Sequence, residues 1–353
     1  MAAPLAGGGS VGRVASYDAF LLVSVGGPEQ PADVMPFLRN VTAGRGIPDE
    51  RLERVAEHYY RLGGVSPINE QCRDLIAAVK AAFSAQKVPL PVYWGNRNWH
   101  PYLRDTLATM AADGVQRALA VVTSGYSSYS SCRQYLEDIE AARSHVGSSA
   151  PQVDKIRPYF NHPGYVGSFA AAVQAAAATL PDDAGREFDL IFTAHSIPAG
   201  MAAAAGPSGG AYQAQLAETA RLVAQQAGFG QRWWLAYSSR SGPPSQPWLE
   251  PDVNDLLAER AAAGTRAVVV VPIGFISDHM EVRFDLDIEA AGTARKLGLA
   301  YARAATPGTD PMLVSMIVDL VTEQLDDTPP AALGALGPWP GSCPAGCCAR
   351  GRR

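Results

Sequence analysis

Hydrophobic positions along this chain fall into two alternating rhythms. Unbroken apolar runs rich in Val, Ile, Leu and aromatic residues occupy 19–25, 92–95, 118–123, 156–160, 190–194, 233–237 and 267–273. Runs of that length and make-up predict strands buried on both faces. Between them lie stretches with apolar residues at helical spacing, among them 31–38, 50–61, 69–85, 102–113 and 213–226. Strand and helix alternating through the chain predict an α/β protein, its parallel sheets covered by helices. The 353 residues are enough for two such units. The expected organisation is a Rossmann-like domain over 17–163, a second over 164–310, a helical segment over 311–328 packing back on the first domain, and a tail over 329–353.

Composition and charge narrow the picture. A formal net charge of −5 leaves no basic footprint for nucleic acid. Residues 1–16 are rich in Ala and Gly and lack the apolar centre of a signal peptide, so a disordered leader is expected there. The longest apolar stretch, 267–276, is too short to cross a bilayer. A cytoplasmic protein without stable membrane insertion is therefore expected. Gly26-Gly27-Pro28 closes the first strand without the spacing of a dinucleotide fingerprint, and no GxxxxGK phosphate loop occurs, which disfavours a nucleotide-dependent enzyme.

In open α/β sheets the chemistry sits just beyond the carboxyl ends of the strands. His195 stands there, in Phe192-Thr193-Ala194-His195-Ser196-Ile197-Pro198. A strand-end imidazole is either bonded locally or poised to take a proton or a borderline metal, and a partner decides between these. After 267–273 comes Ser277-Asp278-His279-Met280-Glu281-Val282-Arg283-Phe284-Asp285-Leu286-Asp287-Ile288-Glu289, which predicts a helix with Ser277 or Asp278 as its N-cap. Glu281, Asp285 and Glu289 share one face of that helix with no cation between them. The row is either a solvated face or a carboxylate ladder that conducts cations or protons.

His195-Ser196-Ile197-Pro198 and Gly274-Phe275-Ile276-Ser277-Asp278-His279-Met280-Glu281 together resemble the ferrochelatase family. So do Gly26-Gly27-Pro28-Glu29, Gly63-Gly64-Val65-Ser66-Pro67-Ile68, Gly95-Asn96-Arg97-Asn98-Trp99-His100-Pro101 and Ser239-Arg240-Ser241-Gly242-Pro243-Pro244 with Pro247-Trp248-Leu249. The resemblance spans roughly 18–325 and rests on the order and spacing of the motifs. It implies two Rossmann-like halves with a porphyrin between them and ferrous iron as co-substrate. His195 becomes the favoured acceptor of pyrrole protons or an iron-side ligand, Glu281 its partner, and Asp285 and Glu289 the iron path. Arg45, Ser66 and Tyr126 are the implied contacts to the ring and its propionates. A downstream haem-pathway enzyme is the expected recipient of the product.

Two departures matter. Many relatives place a Tyr or Met where this chain has Val25, which cannot ligate a metal. The segment Asn40-Val41-Thr42-Ala43-Gly44-Arg45-Gly46 is polar where membrane-dipping relatives are apolar, which favours coproporphyrin III over protoporphyrin IX. Five cysteines do not suggest a disulfide framework. The resemblance implies a [2Fe–2S] cluster on Cys132, Cys343, Cys347 and Cys348, while Cys72 reads as a buried helical residue. Two rivals remain: a cobalt or nickel chelatase of another tetrapyrrole, and a non-enzymatic tetrapyrrole carrier or haem sensor.

Overall fold

The computed structural model describes residues 16–44, 46–181, 187–230, 232–242 and 245–350, so the expected leader over 1–15 lies outside the described residues. The first half contains β1 (Ala19–Ser24), α1 (Val34–Val41), α2 (Asp49–Arg61), α3 (Ile68–Gln86), β2 (Val92–Asn96), α4 (Leu103–Ala112), β3 (Arg117–Val122), α5 (Gln134–Val146) and β4 (Gln152–Lys155). Then follow α6 (Pro163–Ala177), β5 (Asp189–His195), α7 (Ala199–Ala203), α8 (Ala211–Ala227), β6 (Trp233–Ser238), α9 (Val253–Ala262) and β7 (Ala267–Val271). A π-helix (Val282–Ala290), α10 (Ala291–Lys296), β8 (Ala300–Arg303) and α11 (Pro311–Leu325) complete the fold.

The strands form two four-stranded parallel sheets, ordered β2-β1-β3-β4 and β6-β5-β7-β8. One topology is thus used twice. In each sheet the chain leaves the first strand toward one edge and returns to build the other, so a crevice opens between β1 and β3 and again between β5 and β7. His195 and the loop after β7 emerge at the second of these switch points.

Strand alternation decides what each sheet face covers. Ala19, Leu21 and Val23 of β1 pack with Leu103, Leu107 and Met110 of α4 and Tyr135 and Ile139 of α5. Ile191 of β5 packs with Val268, Val270, Leu256 and Leu286 on the corresponding face of the second sheet. The opposite faces share a single core: Phe20 and Leu22 join Phe83, Phe169, Phe192, Val269, Leu216 and Ile317 in one continuous buried cluster. Each of its larger side chains contributes roughly 1.5–3 kcal/mol of burial. α11 packs against both α3 and α6, laying the last helix on an element of the first half. α1 and α2 hold a small core of their own around Phe37, Leu38 and Leu52. Cys72 lies fully buried in α3.

Two strands differ from the sequence expectation. The apolar run 156–160 is not a strand; β4 precedes it, at Gln152–Lys155. As an edge strand β4 tolerates polar residues, whereas Ile156, Tyr159 and Phe160 are buried because they run through the shared core. β8 was not anticipated, because Ala-Tyr-Ala-Arg at a sheet edge carries neither an apolar run nor alternation.

Candidate active site

His195 is the last residue of β5, and its surroundings fix the ring. Its Nδ1–H donates to the Ser196 carbonyl, and its own carbonyl accepts from the Tyr212 hydroxyl at 2.9 Å. A carbonyl can only accept, so Nδ1 keeps its hydrogen and Nε2 is the working nitrogen. Nε2 lies 3.6 Å from Glu281 Oε1, with the two side chains 31% and 46% exposed. Glycine makes the approach possible. A Cβ on Gly274 would sit 3.0 Å from Ala194 Cα, so only a bare backbone lets the loop after β7 lie against the end of β5.

Glu281 does not start the helix in the expected way. Asp278 is occupied by Arg303, whose Nη2 is 2.9 Å away, and by the Thr306 hydroxyl at 2.9 Å. Instead the Glu281 amide donates to His279 Nδ1 at 3.2 Å, so His279 caps the turn in place of the predicted Ser277 or Asp278. The helix that follows is also not α-helical: 282–290 form π turns. Wider turns rotate successive side chains less than an α-helix does, so the acidic row is aimed differently from what α spacing predicts. The Tyr301 hydroxyl donates to Leu286 O at 2.8 Å, beside the Ala291 amide from which the same carbonyl accepts across a π turn. Arg283 and Arg303 both pair with Asp287, which keeps that carboxylate out of the row. Asp285 accepts from the Ser239 hydroxyl, and Glu289 lies exposed farther along.

The electrostatics set the resting charges. Burial works against a charged His195, but the Glu281 carboxylate outweighs it and raises the imidazole to about 9. Burial likewise opposes ionisation of Glu281, and His195 overrides it, holding the carboxyl at about 2. Asp285 is pushed up to about 7 by burial, against the Ser239 hydrogen bond and helped by Glu281 and Glu289. His279 is held below its ordinary value by burial, with His195 adding to the effect and Glu281 opposing it. The site therefore rests at neutral pH as an imidazolium–carboxylate pair beside a carboxyl at its midpoint.

The remaining sequence candidates are scattered. Arg45 lies outside the described residues. Ser66 is 4% exposed, its amide donates to Pro28 O at 2.8 Å, and it packs where a Cβ on Gly27 would be, 2.7 Å away. Tyr126 is 2% exposed and its hydroxyl donates to Ile273 O at 3.0 Å, so it belongs to the packing between the sheets and not to an open wall. Cys132 and Cys348 are buried and their thiols share a hydrogen bond, Cys347 Sγ is 3.7 Å from Cys348 Sγ, and Cys343 is exposed. No group of three or more His, Cys, Asp or Glu side chains among the described residues closes to metal-holding geometry. Sequence reasoning missed His279 as a cap, Ser239 as a partner of Asp285, and Tyr59, whose hydroxyl is pushed up by burial and by Glu281. Ser239 sits at φ +63°, a conformation a serine seldom adopts, and it lay unassigned within a quoted motif.

Two parallel sheets of one topology, with a strand-end histidine opposed to a carboxylate at the second switch point, define a chelatase-type fold. Solved structures agree: SirB from Bacillus subtilis with Fe3+ superimposes with a TM-score of 0.54 at 13% identity, covering 88% of this chain and 97% of that one. The cobalt complex of SirB from Bacillus subtilis subspecies spizizenii gives 0.52 at 11% identity, over 88% and 97%. At such identities the likeness concerns the fold alone. The chain itself belongs to the ferrochelatase family, whose model, described as Ferrochelatase, matches residues 17–325. It is 52% identical over 349 residues to the coproporphyrin III ferrochelatase of Nocardia farcinica, covering 96% of this chain and 98% of that one. It is 51% identical over 325 residues to the coproporphyrin III ferrochelatase of Mycolicibacterium smegmatis (92% and 95%) and 54% identical over 336 residues to the ferrochelatase of Rhodopirellula baltica (94% and 93%).

Proposed function

We propose that this chain inserts ferrous iron into coproporphyrin III, giving coprohaem for haem biosynthesis, and does so in the cytoplasm. The observation that carries the mechanism is the opposition of His195 Nε2 and Glu281 Oε1 at 3.6 Å at the head of the π-helix. Insertion takes one Fe2+ into the ring and releases two pyrrole protons. At rest His195 already holds a proton, because Glu281 is ionised beside it. A ferrous ion arriving along Glu289 and Asp285 reverses that balance: its charge favours the neutral imidazole, whose proton leaves to solvent, and Nε2 then accepts the two pyrrole protons in turn, releasing the first outward before it takes the second. Asp285, near its midpoint at neutral pH, passes protons outward, while Glu281 offers oxygen in place of the waters the iron sheds. Bending the ring toward the metal is offset by binding at its periphery, where Arg45 is the proposed propionate partner.

The names of the Nocardia and Mycolicibacterium relatives support the choice of porphyrin, as does the polar stretch around Asn40 and Gly44. Anaerobic competition between coproporphyrin III and protoporphyrin IX for limiting protein tests it. The proposal expects coproporphyrin III to be favoured by about tenfold or more in kcat/KM, since a site built for four carboxylates is left with unpaired polar groups by a ring that carries only two. Equal or reversed preference would contradict it.

A [2Fe–2S] cluster on Cys132, Cys343, Cys347 and Cys348 is proposed as resident cofactor. Two features of the buried thiols support this reading. The Cys348 thiol hydrogen bond draws Cys132 down and pushes Cys348 up in turn, and Lys155 and Arg133 help Cys132 against burial. The Gly206 amide donates to Cys348 Sγ at 3.2 Å, as amides do around thiolate-bound iron. Bound there, the group would supply a one-electron couple and a tie between the tail and the body.

A further inference from the structure

Beyond Leu325 the chain leaves α11 and crosses the molecule without regular structure before its last cysteines. Such a segment ordinarily leaves its backbone groups to water. Here side chains of the body take them. Arg157 and Glu323 form a bidentate pair at 2.8 and 2.7 Å, with side chains only 3% and 4% exposed. Arg157 Nη2 also donates to Ala331 O at 2.8 Å, and Ala331 N donates to Glu323 Oε1 at 3.1 Å. Asn161, fully buried, repeats the arrangement. Its carbonyl accepts from Leu333 N at 2.9 Å, and its Nδ2 donates to Leu333 O at 3.0 Å and Gly337 O at 2.7 Å. Ala335 N donates to Glu218 Oε1 at 2.6 Å, and the Trp339 ring meets Phe160 edge-on at 6.1 Å.

A buried ion pair is a weak source of stability compared with apolar packing, so its presence calls for another explanation. Both members of this pair also bond one residue of the crossing segment, Ala331. Asn161 does the same two residues later. The anchors are also distributed: Arg157 and Asn161 follow β4, Glu218 stands on α8 and Glu323 on α11. The segment ends at the cysteines, where Cys348 is 1% exposed against Gly206.

We propose that 331–339 is a strap, docked by Arg157, Asn161, Glu218 and Glu323, that seats the tail thiols beside Cys132 whether or not a cluster is bound. The four anchors are positioning residues for the cluster. This rests on the four-cysteine cluster reading, and the test separates the two. Full-length wild type, Asn161→Ala, the milder Glu218→Ala and Cys132→Ser are prepared anaerobically. Iron and acid-labile sulfide are assayed, visible bleaching in EDTA is timed, and amide hydrogen exchange is followed over 331–339. The strap predicts that Cys132→Ser lacks the cluster yet protects 331–339 as well as wild type does. It predicts that Asn161→Ala exchanges there and bleaches about tenfold faster, as expected for losing buried hydrogen bonds. Free-chain exchange of 331–339 in Cys132→Ser would overturn the strap, as would wild-type bleaching and exchange in both anchor variants. Absence of iron and sulfide from wild type would defeat the cluster reading by itself. Protection of 331–339 in wild type and its loss in Asn161→Ala would then still uphold the strap, and equal exchange in the two would overturn it.

Discussion

His195 owes its charge to one neighbour. Without the Glu281 carboxylate, burial acts on the imidazole largely unopposed, and burial favours the neutral ring. Glu281→Gln is therefore expected to lower the His195 midpoint from about 9 to its ordinary 6.5 or below. An NMR titration of the histidine ring protons reads this directly, and an unchanged midpoint would refute the pairing. The linkage to stability follows by sign. His195, raised, adds stability that is full below its unfolded value and is lost as pH rises through about 9. Glu281, lowered, adds stability present above its unfolded value and lost as pH falls through about 2. Both contributions are thus complete between 4.5 and 6.5, the ordinary values of the two groups. Asp285 runs the other way: its carboxyl is raised, so its contribution falls as pH climbs from 3.8 through about 7.

At the scale of elements, the proposed iron path along Glu281, Asp285 and Glu289 depends on the π turns of 282–290. Deleting Ile288 relaxes the segment toward α turns and re-aims Glu289 relative to Glu281 and Asp285. Porphyrin binding should persist, while metallation falls by about a hundredfold, the usual scale for misplacing a catalytic group by an ångström. Absorption titration and a metallation assay separate the two effects; unchanged metallation would show that the path does not depend on the π geometry. This element also marks how far the sequence could be read. The acidic residues were legible as a series, but the π turns aim Glu281, Asp285 and Glu289 differently from the one α-helical face their spacing predicts. The cap was not legible, because it depends on distant partners, Arg303 and Thr306 claiming Asp278, and the π turns were not, because the spacing of these residues fits an α-helix as well. Buried strands such as β1, β5 and β7 announce themselves by continuous apolar runs. Edge strands β4 and β8 do not, since solvent on one side relaxes the demand for apolar residues.

The whole molecule is one sheet topology used twice and joined by a shared core. The inner faces of both sheets, with α3, α6, α8 and α11 between and around them, bury a single apolar cluster. The Tyr126 and Tyr165 hydroxyls both donate to Ile273 O, at 3.0 and 2.7 Å, which ties the loop after β3 and the start of α6 to the loop after β7. Contacts continue nearer the site, where the Asp278 amide donates to Gln71 Oε1 at 2.8 Å and His58 stacks on Phe284 at 3.8 Å. α1 and α2 keep a separate small core, and α2 meets the π-helix through that His58–Phe284 stack. The division into two Rossmann-like halves was legible from strand–helix alternation, but their common core was not, because periodicity shows which face of an element is apolar and not what covers it.

The central claim is that His195, facing Glu281, is the proton acceptor for iron insertion. Anaerobic mixing of ferrous iron and coproporphyrin III with wild type and with His195→Ala, followed by absorption spectroscopy, tests it most directly. The account predicts that both proteins shift the porphyrin spectrum on binding and that wild type alone metallates rapidly, the variant being slower by about two orders of magnitude or more. Metallation by His195→Ala at the wild-type rate would contradict it.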